Sequence, residues 1–243
     1  MGKGQGKPCP GVVVFYPGTA MGSRDVDFCG GPIVPYEWLA AQGFSVVLVD
    51  VPYDHRRPHD PINAGAGAVL PAVNAAIRRR YVDPDRMAVM GHSFGGYGVL
   101  CLVTRTQRFR AAICASGVSN VASQYGTMYG ALAGREPKTQ VPNAEAGQGG
   151  MGAPPWERPL RYVTNSPVFH LDRVTTPLLL VAGSEDCTTP WLQAGEAFVG
   201  LRRLSRTCTL LVYEGEGHEP NRWAECNRRD LATRILEWLQ RHL

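Results

Sequence analysis

The stretch Met87-Ala88-Val89-Met90-Gly91-His92-Ser93-Phe94-Gly95-Gly96-Tyr97-Gly98 constrains this chain more than any other. An apolar run ends in Gly-His-Ser-Phe-Gly-Gly and passes straight into Val99-Leu100-Cys101-Leu102-Val103, the pattern of a buried strand that turns sharply into a helix. Glycines at 91 and 95 suit a turn so tight that side chains there would collide with the strand and the helix. Such a turn leaves the Ser93 hydroxyl at its tip, with the Phe94 N–H and the helix N-terminus facing any negative charge that develops nearby. The same five-residue pattern also arises in turns built only for packing, so its meaning depends on what the rest of the chain supplies.

Either side of this elbow, strand-like and helix-like segments alternate. Val12 to Tyr16 is a short buried strand closed by Pro17-Gly18, and a Gly-rich polar loop runs from Thr19 to Pro35. Tyr36 to Gln42 predicts a short helix ended by Gly43, Phe44 to Val49 a second strand, and Pro52 to Pro61 a polar loop. From about Ala64 to Arg80, Val69, Val73 and Ile77 recur at helical spacing, with Pro71 as a kink or a late start. Asp83-Pro84-Asp85-Arg86 reads as the turn into the elbow strand, and Phe109 to Ala115 as the strand after the elbow helix. Pro177 to Ala182, a helix over Trp191 to Leu204, the strand Cys208 to Tyr213 and an amphipathic helix from about Arg228 to His242 complete the series. The buried stripe of that last helix is Leu231, Ile235, Trp238 and Leu239. Such alternation predicts an α/β fold: an open, mostly parallel sheet with helices on both faces. Only residues from about 117 to 165 break the pattern. They carry no sustained period, predict an irregular lid-like insertion, and include Gly147 to Pro155, which has the composition of a mobile loop.

A chain of 243 residues, 44% hydrophobic and 19% charged, has material for one substantial core, and a single domain spanning 1–243 is the expectation. The net charge of +4 is mild and its basic residues are scattered. Arg78-Arg79-Arg80, at a predicted helix C-terminus, complements the helix dipole rather than gripping phosphates, so no nucleic-acid partner is expected. Seven widely spaced cysteines contain no CxxC pair, which argues for reduced thiols and a cytoplasmic setting. The N-terminus has no apolar stretch of a secretory signal, and no run is long enough to span a bilayer.

Serine is a poor nucleophile at neutral pH and needs a neighbouring base, which in turn needs an orienting carboxylate. Asp186 lies four residues beyond Ala182 and His218 five residues beyond Tyr213, each just past a predicted strand end, where open parallel sheets gather such groups. The order Ser93, Asp186, His218 fits one way of assembling a triad. Taken singly, His218 in Glu-Gly-His-Glu reads equally as a solvated loop residue, and Asp186 as the cap of the helix beginning near Pro190. Glu185 is a rival carboxylate.

Together Gly91-His-Ser-Phe-Gly-Gly-Tyr97, Gly183-Ser-Glu-Asp-Cys-Thr-Thr-Pro-Trp-Leu-Gln193 and Tyr213-Glu-Gly-Glu-Gly-His218 resemble the catalytic domain of the prolyl oligopeptidase family of serine peptidases. Trp156-Glu-Arg-Pro and Asn165-Ser-Pro-Val-Phe-His-Leu171 resemble its acylaminoacyl-peptidase-like members. The resemblance runs from about Val12 to Leu243. It implies an α/β-hydrolase fold with Ser93 as nucleophile, His218 as general base and then acid, and Asp186 as its orienting partner. It also implies an oxyanion hole from the Phe94 N–H and the Tyr16 hydroxyl, although Tyr16 at a strand end reads equally as core packing. Tyr125 and Tyr129 fall where the family places aromatic substrate-pocket residues, or they only pack the lid. Three departures stand out: no β-propeller precedes the hydrolase region, the usual first pair of hydrolase strands is missing, and Thr188 occupies the position where some members have a substrate-anchoring Asn or Arg.

The leading expectation is therefore a serine hydrolase that cleaves peptide or amide bonds of small peptide-like substrates through an acyl-enzyme. Ahead of a catalytically silent binding module, the alternative is a carboxylesterase or acyl-transferring enzyme on a small acyl substrate. A homo-oligomer is compatible with either. Neither a metal nor an organic cofactor is implied.

Overall fold

The computed structural model describes residues 8–21, 31–52, 60–129 and 138–243; at 129 and 138 it describes the backbone alone. Six strands, β1 (Cys9–Phe15), β2 (Ser45–Val49), β3 (Val82–His92), β4 (Ala111–Ala115), β7 (Leu178–Gly183) and β8 (Cys208–Tyr213), form one parallel sheet in the order β2-β1-β3-β4-β7-β8. A small antiparallel pair, β5 (Met128–Tyr129) and β6 (Lys138–Thr139), lies apart from it.

Side chains alternate across the sheet with the two-residue period of a strand, and each face buries a different set. Val13 and Phe15 of β1 point to one face, with Val69 and Val73 of α2 (Pro61–Arg78), Val99 and Leu102 of α3 (Phe94–Val103), and Ala197 and Leu201 of α7 (Leu192–Arg203). Val12 and Val14 point to the other, against Leu39 of α1 (Tyr36–Ala41) and Leu231, Ile235 and Leu239 of α8 (Glu225–His242). Helices thus cover both faces, as the alternation predicted.

Three local expectations need correction. Asp83 to Arg86 is not a turn before the elbow strand but a bulge inside β3: Cys9 pairs with Val82 and Gly11 with Met87, so the extra residues are looped out of the ladder. Asp83 holds the bulge together, accepting from the Asp85 N–H at 2.9 Å and from Arg86 Nε at 2.9 Å. Pro71 does not start α2. The helix begins at Pro61, whose fixed φ suits the first helical position, and Pro71 lies on the exposed side, where the carbonyl it leaves unpaired, that of Gly67, meets water.

The third concerns Gly147 to Pro155, whose composition suggested mobility. Here the chain folds back tightly on α5 (Val141–Glu145): Gly149 N–H bonds to Asn143, Met151 N–H to Ala144 and Gly152 N–H to Glu145, at 2.8–2.9 Å, and Met151 is fully buried. Among the described residues, the rest of the insertion holds two more short helices, α4 (Val121–Tyr125) and α6 (Pro159–Thr164), and the β5–β6 pair. Asn165 locks it to the main body. Its Oδ1 accepts the Ile62 N–H at the start of α2, and its carbonyl accepts the buried Tyr97 hydroxyl of α3.

Candidate active site

The order of the sheet reverses between β1 and β3, because the chain winds one way through α1 to β2 and the other way through α3 to β4. In open parallel sheets the crevice at such a reversal, beyond the carboxyl ends of the strands, is where ligands bind. Tyr16 follows the end of β1 and Ser93 the end of β3, so both stand at its rim.

Ser93 adopts φ +56° and ψ −121°, a backbone conformation that a residue with a side chain rarely takes. The surroundings enforce it. Ser93 N–H bonds to the Ala115 carbonyl at 2.9 Å, and its own carbonyl accepts Tyr97 N–H at 2.9 Å to start α3. A Cβ on Gly91 would lie 2.3 Å from the Gly95 oxygen, and one on Gly95 2.7 Å from the Phe15 oxygen, so strand and helix approach this closely only without those side chains.

His218 Nε2 lies 2.8 Å from Ser93 Oγ, and His218 Nδ1 lies 2.8 Å from Asp186 Oδ2. The other carboxylate oxygen, Oδ1, accepts the N–H groups of Thr188 and Thr189 at 2.9 and 2.8 Å, and the Asp186 side chain has no exposed surface. A carboxylate only accepts, so Nδ1 carries the imidazole proton and Nε2 is the acceptor for the serine hydroxyl. Such a relay can remove a proton from Ser93 as its oxygen attacks an electrophilic carbon, while the buried carboxylate offsets the charge arising on the ring. Glu185, the rival carboxylate, is exposed.

Neighbouring groups brace each member. The His92 ring is buried beneath His218 with centroids 4.9 Å apart, and its Nε2 meets the His218 carbonyl oxygen at 2.7 Å. Burial holds the His92 imidazole below its ordinary pKa of 6.5, against the opposite pull of that carbonyl bond. Glu216 accepts from the Ala224 N–H and from Asn227 Nδ2, and Trp223 Nε1 donates to the Gly217 carbonyl, which together fasten the loop carrying His218 to the start of α8.

Buried amides tie the Asp186 loop to the insertion. Gln124 and Gln140 both donate to the Thr188 carbonyl, at 2.8 and 3.0 Å, while Gln193 accepts the N–H groups of Ser119 and Asn120 and donates to Ser123 Oγ. Gln193 ends the Gly183–Gln193 motif but carried no role there, and Gln124 and Gln140 did not stand out in the sequence. A lone Gln carries no periodic or motif signal, and these partners are 48–74 residues away.

Phe94 opens α3, so its N–H belongs to the first helical turn beside Ser93. The Tyr16 ring packs edge-on to Phe94 with centroids 6.2 Å apart, and Gln148 Nε2 donates to its hydroxyl oxygen at 3.0 Å. Gln148 is a further residue that the sequence did not flag. It comes from the glycine-rich stretch folded onto α5.

Beside Phe94 lies a small cavity of about 40 Å³, lined by Val118 and Val121 and by Gln124, Gln140 and Asn143. Tyr125 is not among the residues that line it. Its ring stands edge-on to Trp156 and to Tyr162, and its hydroxyl donates to Glu145. The backbone of Tyr129 lies in β5, and its side chain is outside the described residues.

Among the described residues, His92, His218 and Glu219 bring potential metal-ligand atoms within 4.8 Å of one another. His92 Nε2 and both His218 nitrogens are already engaged in the bonds above, so a cation there would have to break the relay.

Sheet, elbow and insertion define the chain as an α/β-hydrolase. It belongs to the prolyl oligopeptidase family, which matches residues 66–243. Among its relatives are the uncharacterized peptidase YuxL of Bacillus subtilis (strain 168), 28% identical over 236 residues, covering 88% of this chain and 34% of that protein. The human acylamino-acid-releasing enzyme is 26% identical over 219 residues, covering 84% of this chain and 28% of that protein. In fold it is similar to Pyrococcus horikoshii acylaminoacyl peptidase (TM-score 0.77, 19% identity, 98% of this chain and 38% of that one). A similar likeness holds for a Mycobacterium tuberculosis puromycin-hydrolyzing peptidase (TM-score 0.74, 22% identity, 98% and 35%). The chain spans about a third of the length of the curated relatives it matches.

Proposed function

We propose that this chain is a serine peptidase acting on amide bonds of small peptide-like substrates. The observation that carries this reading is the unbroken relay from Ser93 Oγ through His218 to Asp186, 2.8 Å at each step, at the tip of a strained elbow. Ser93 Oγ attacks the scissile carbonyl carbon while His218 Nε2 takes its proton. The C–N bond then breaks as the same proton passes to the leaving amine, and water hydrolyses the resulting ester with His218 again as base. The Phe94 N–H and the Tyr16 hydroxyl face the developing oxyanion. The cavity beside Phe94, apolar with neutral amides, fits a small uncharged side chain.

Family membership supports peptidase chemistry. The names of similar proteins, which release acylamino acids or hydrolyse puromycin, support small amide substrates. The small size of the cavity also favours a second reading, ester cleavage or acyl transfer on a small acyl group. The six free cysteines among the described residues, three of them buried, fit a reducing cytoplasmic location, and no described helix is long and apolar enough to cross a membrane.

Fluorophosphonate labelling and Ser93→Ala test the nucleophile. The variant should lose labelling and about 10⁴- to 10⁶-fold of turnover while keeping its circular dichroism. Unchanged turnover would remove Ser93 from the mechanism. Aminoacyl-anilides compared with p-nitrophenyl esters separate the two readings: negligible anilide cleavage beside robust ester turnover selects the second.

A further inference from the structure

At the opposite edge of the sheet from Ser93 lies a cleft that the hydrolytic reading does not use. It sits where the end of α7, the first residues of β8 and the last turn of α8 meet, and its volume is about 450 Å³, within the range of small-molecule sites. The strands are parallel and Ser93 follows the carboxyl end of β3, so Cys208, at the amino end of β8, puts this cleft about 17–20 Å away along the strands.

Its chemistry is one-sided. Arg202, Arg206 and Arg241 line it, no carboxylate does, and none of the three arginines forms an ion pair among the described residues. Trp238 and His242 line it too, their ring centroids 4.4 Å apart, and behind this lining the Trp238 Nε1–H and the Arg206 Nε–H are buried without acceptors. Arg206 is held in place by a bond from its terminal nitrogen to the Asp172 carbonyl, at 3.0 Å.

Basic residues near helix C-termini commonly neutralise the helix dipole. At α7 that need is already met by the backbone. Leu204, Ser205 and Arg206 N–H groups bond to the carbonyls of Gly200, Arg202 and Leu201, with Ser205 at φ +57° closing the turn. Arg202 and Arg206 are thus surplus to capping.

We propose that this cleft binds a small multivalent oxyanion, of the polyphosphate class, through Arg202, Arg206 and Arg241, beside the Trp238 ring. Closely spaced oxygens match the forked geometry of several guanidinium groups, which a single chloride cannot do. The site is independent of the Ser93 chemistry and stands or falls without it.

Calorimetric titration of the whole chain with pyrophosphate, at fixed ionic strength against sodium chloride, tests it. Saturable one-to-one binding is expected, weakened about tenfold or more in Arg202→Ala/Arg241→Ala. Those side chains are exposed, so the variant should keep its fold and its labelling at Ser93. The indole N–H resonance of Trp238 should shift on addition of pyrophosphate. ATP as a second titrant tells whether the anion is taken bare or on a nucleoside, since tighter binding of ATP would point to contacts beyond the phosphates. No saturable binding, equal binding by the variant, or an unmoved Trp238 resonance would overturn the proposal.

Discussion

His92 Nε2 meets the carbonyl oxygen of His218 at 2.7 Å, so the residue preceding the proposed nucleophile holds the backbone of the proposed base. The only other side chain bonded to that carbonyl among the described residues is Ser116, at 3.4 Å. His92→Phe keeps the ring and deletes the donor. It should lower kcat about 10- to 100-fold with little change in KM, because the loss is of positioning rather than of substrate contact. His92→Gln, which retains a donor, should recover part of the activity. Steady-state kinetics of both variants decide this, and equal rates in wild type and His92→Phe would count against it.

The same ring makes stability depend on pH. Burial depresses the pKa of folded His92 below 6.5, so below about pH 6.5 the unfolded chain binds a proton that the folded chain refuses. Stability from this group is therefore complete above pH 6.5 and declines as the pH falls from there towards the folded pKa. Thermal unfolding of wild type and His92→Gln between pH 7.5 and 5 should show the steeper acid decline in wild type, and parallel curves would contradict it.

Asp186→Asn presents an amide where the imidazole N–H needs an acceptor. Turnover should fall about 10⁴-fold, with the fold intact, by loss of the required tautomer. Glu185→Gln, on the exposed neighbour, should leave rates within about twofold. Parallel progress curves for the two variants make the comparison, and it also settles the ambiguity that the adjacent carboxylates created in the sequence.

What the sequence disclosed was local. Gly91, Ser93 and Gly95 announce the elbow because the steric demand is met within five residues, and Asp186 and His218 stood out by their place after apolar runs that read as strands. The bracing was hidden because hydrogen bonds across long separations leave no trace in spacing. Gln193 reaches Ser119 over 74 residues, and Gln148 reaches Tyr16 over 132. Gly147 to Gly152 misled for a related reason. Glycine content signals freedom in isolation, yet here a Cβ on Gly149 would lie 2.7 Å from the Ala144 oxygen, so the glycines permit close packing. Tyr125 carried an aromatic signal that does not distinguish a pocket wall from the inside of an insertion.

Tyr16→Phe removes a hydroxyl donor and keeps the ring against Phe94. If the hydroxyl faces the oxyanion, kcat should fall about 10²- to 10³-fold at nearly constant KM. Gln148→Ala should produce a smaller loss in the same direction, because Gln148 only orients that hydroxyl. Anilide kinetics on the single and double variants check this, and the double variant should be no worse than Tyr16→Phe alone.

Gln193→Ala leaves the Ser119 and Asn120 N–H groups without their acceptor. A loss of about 2–3 kcal/mol is expected, read from the urea midpoint at unchanged slope. Full stability in the variant would mean that water replaces the amide there.

The reversal of strand order between β1 and β3 has an architectural result. The helix after β1 leaves over one face of the sheet and the helix after β3 over the other, so neither returns across the gap between the two strand tips. Winding alone therefore sets Tyr16 and Ser93 side by side at those tips, and leaves the space above them to be furnished by side chains and by the insertion that carries Gln148.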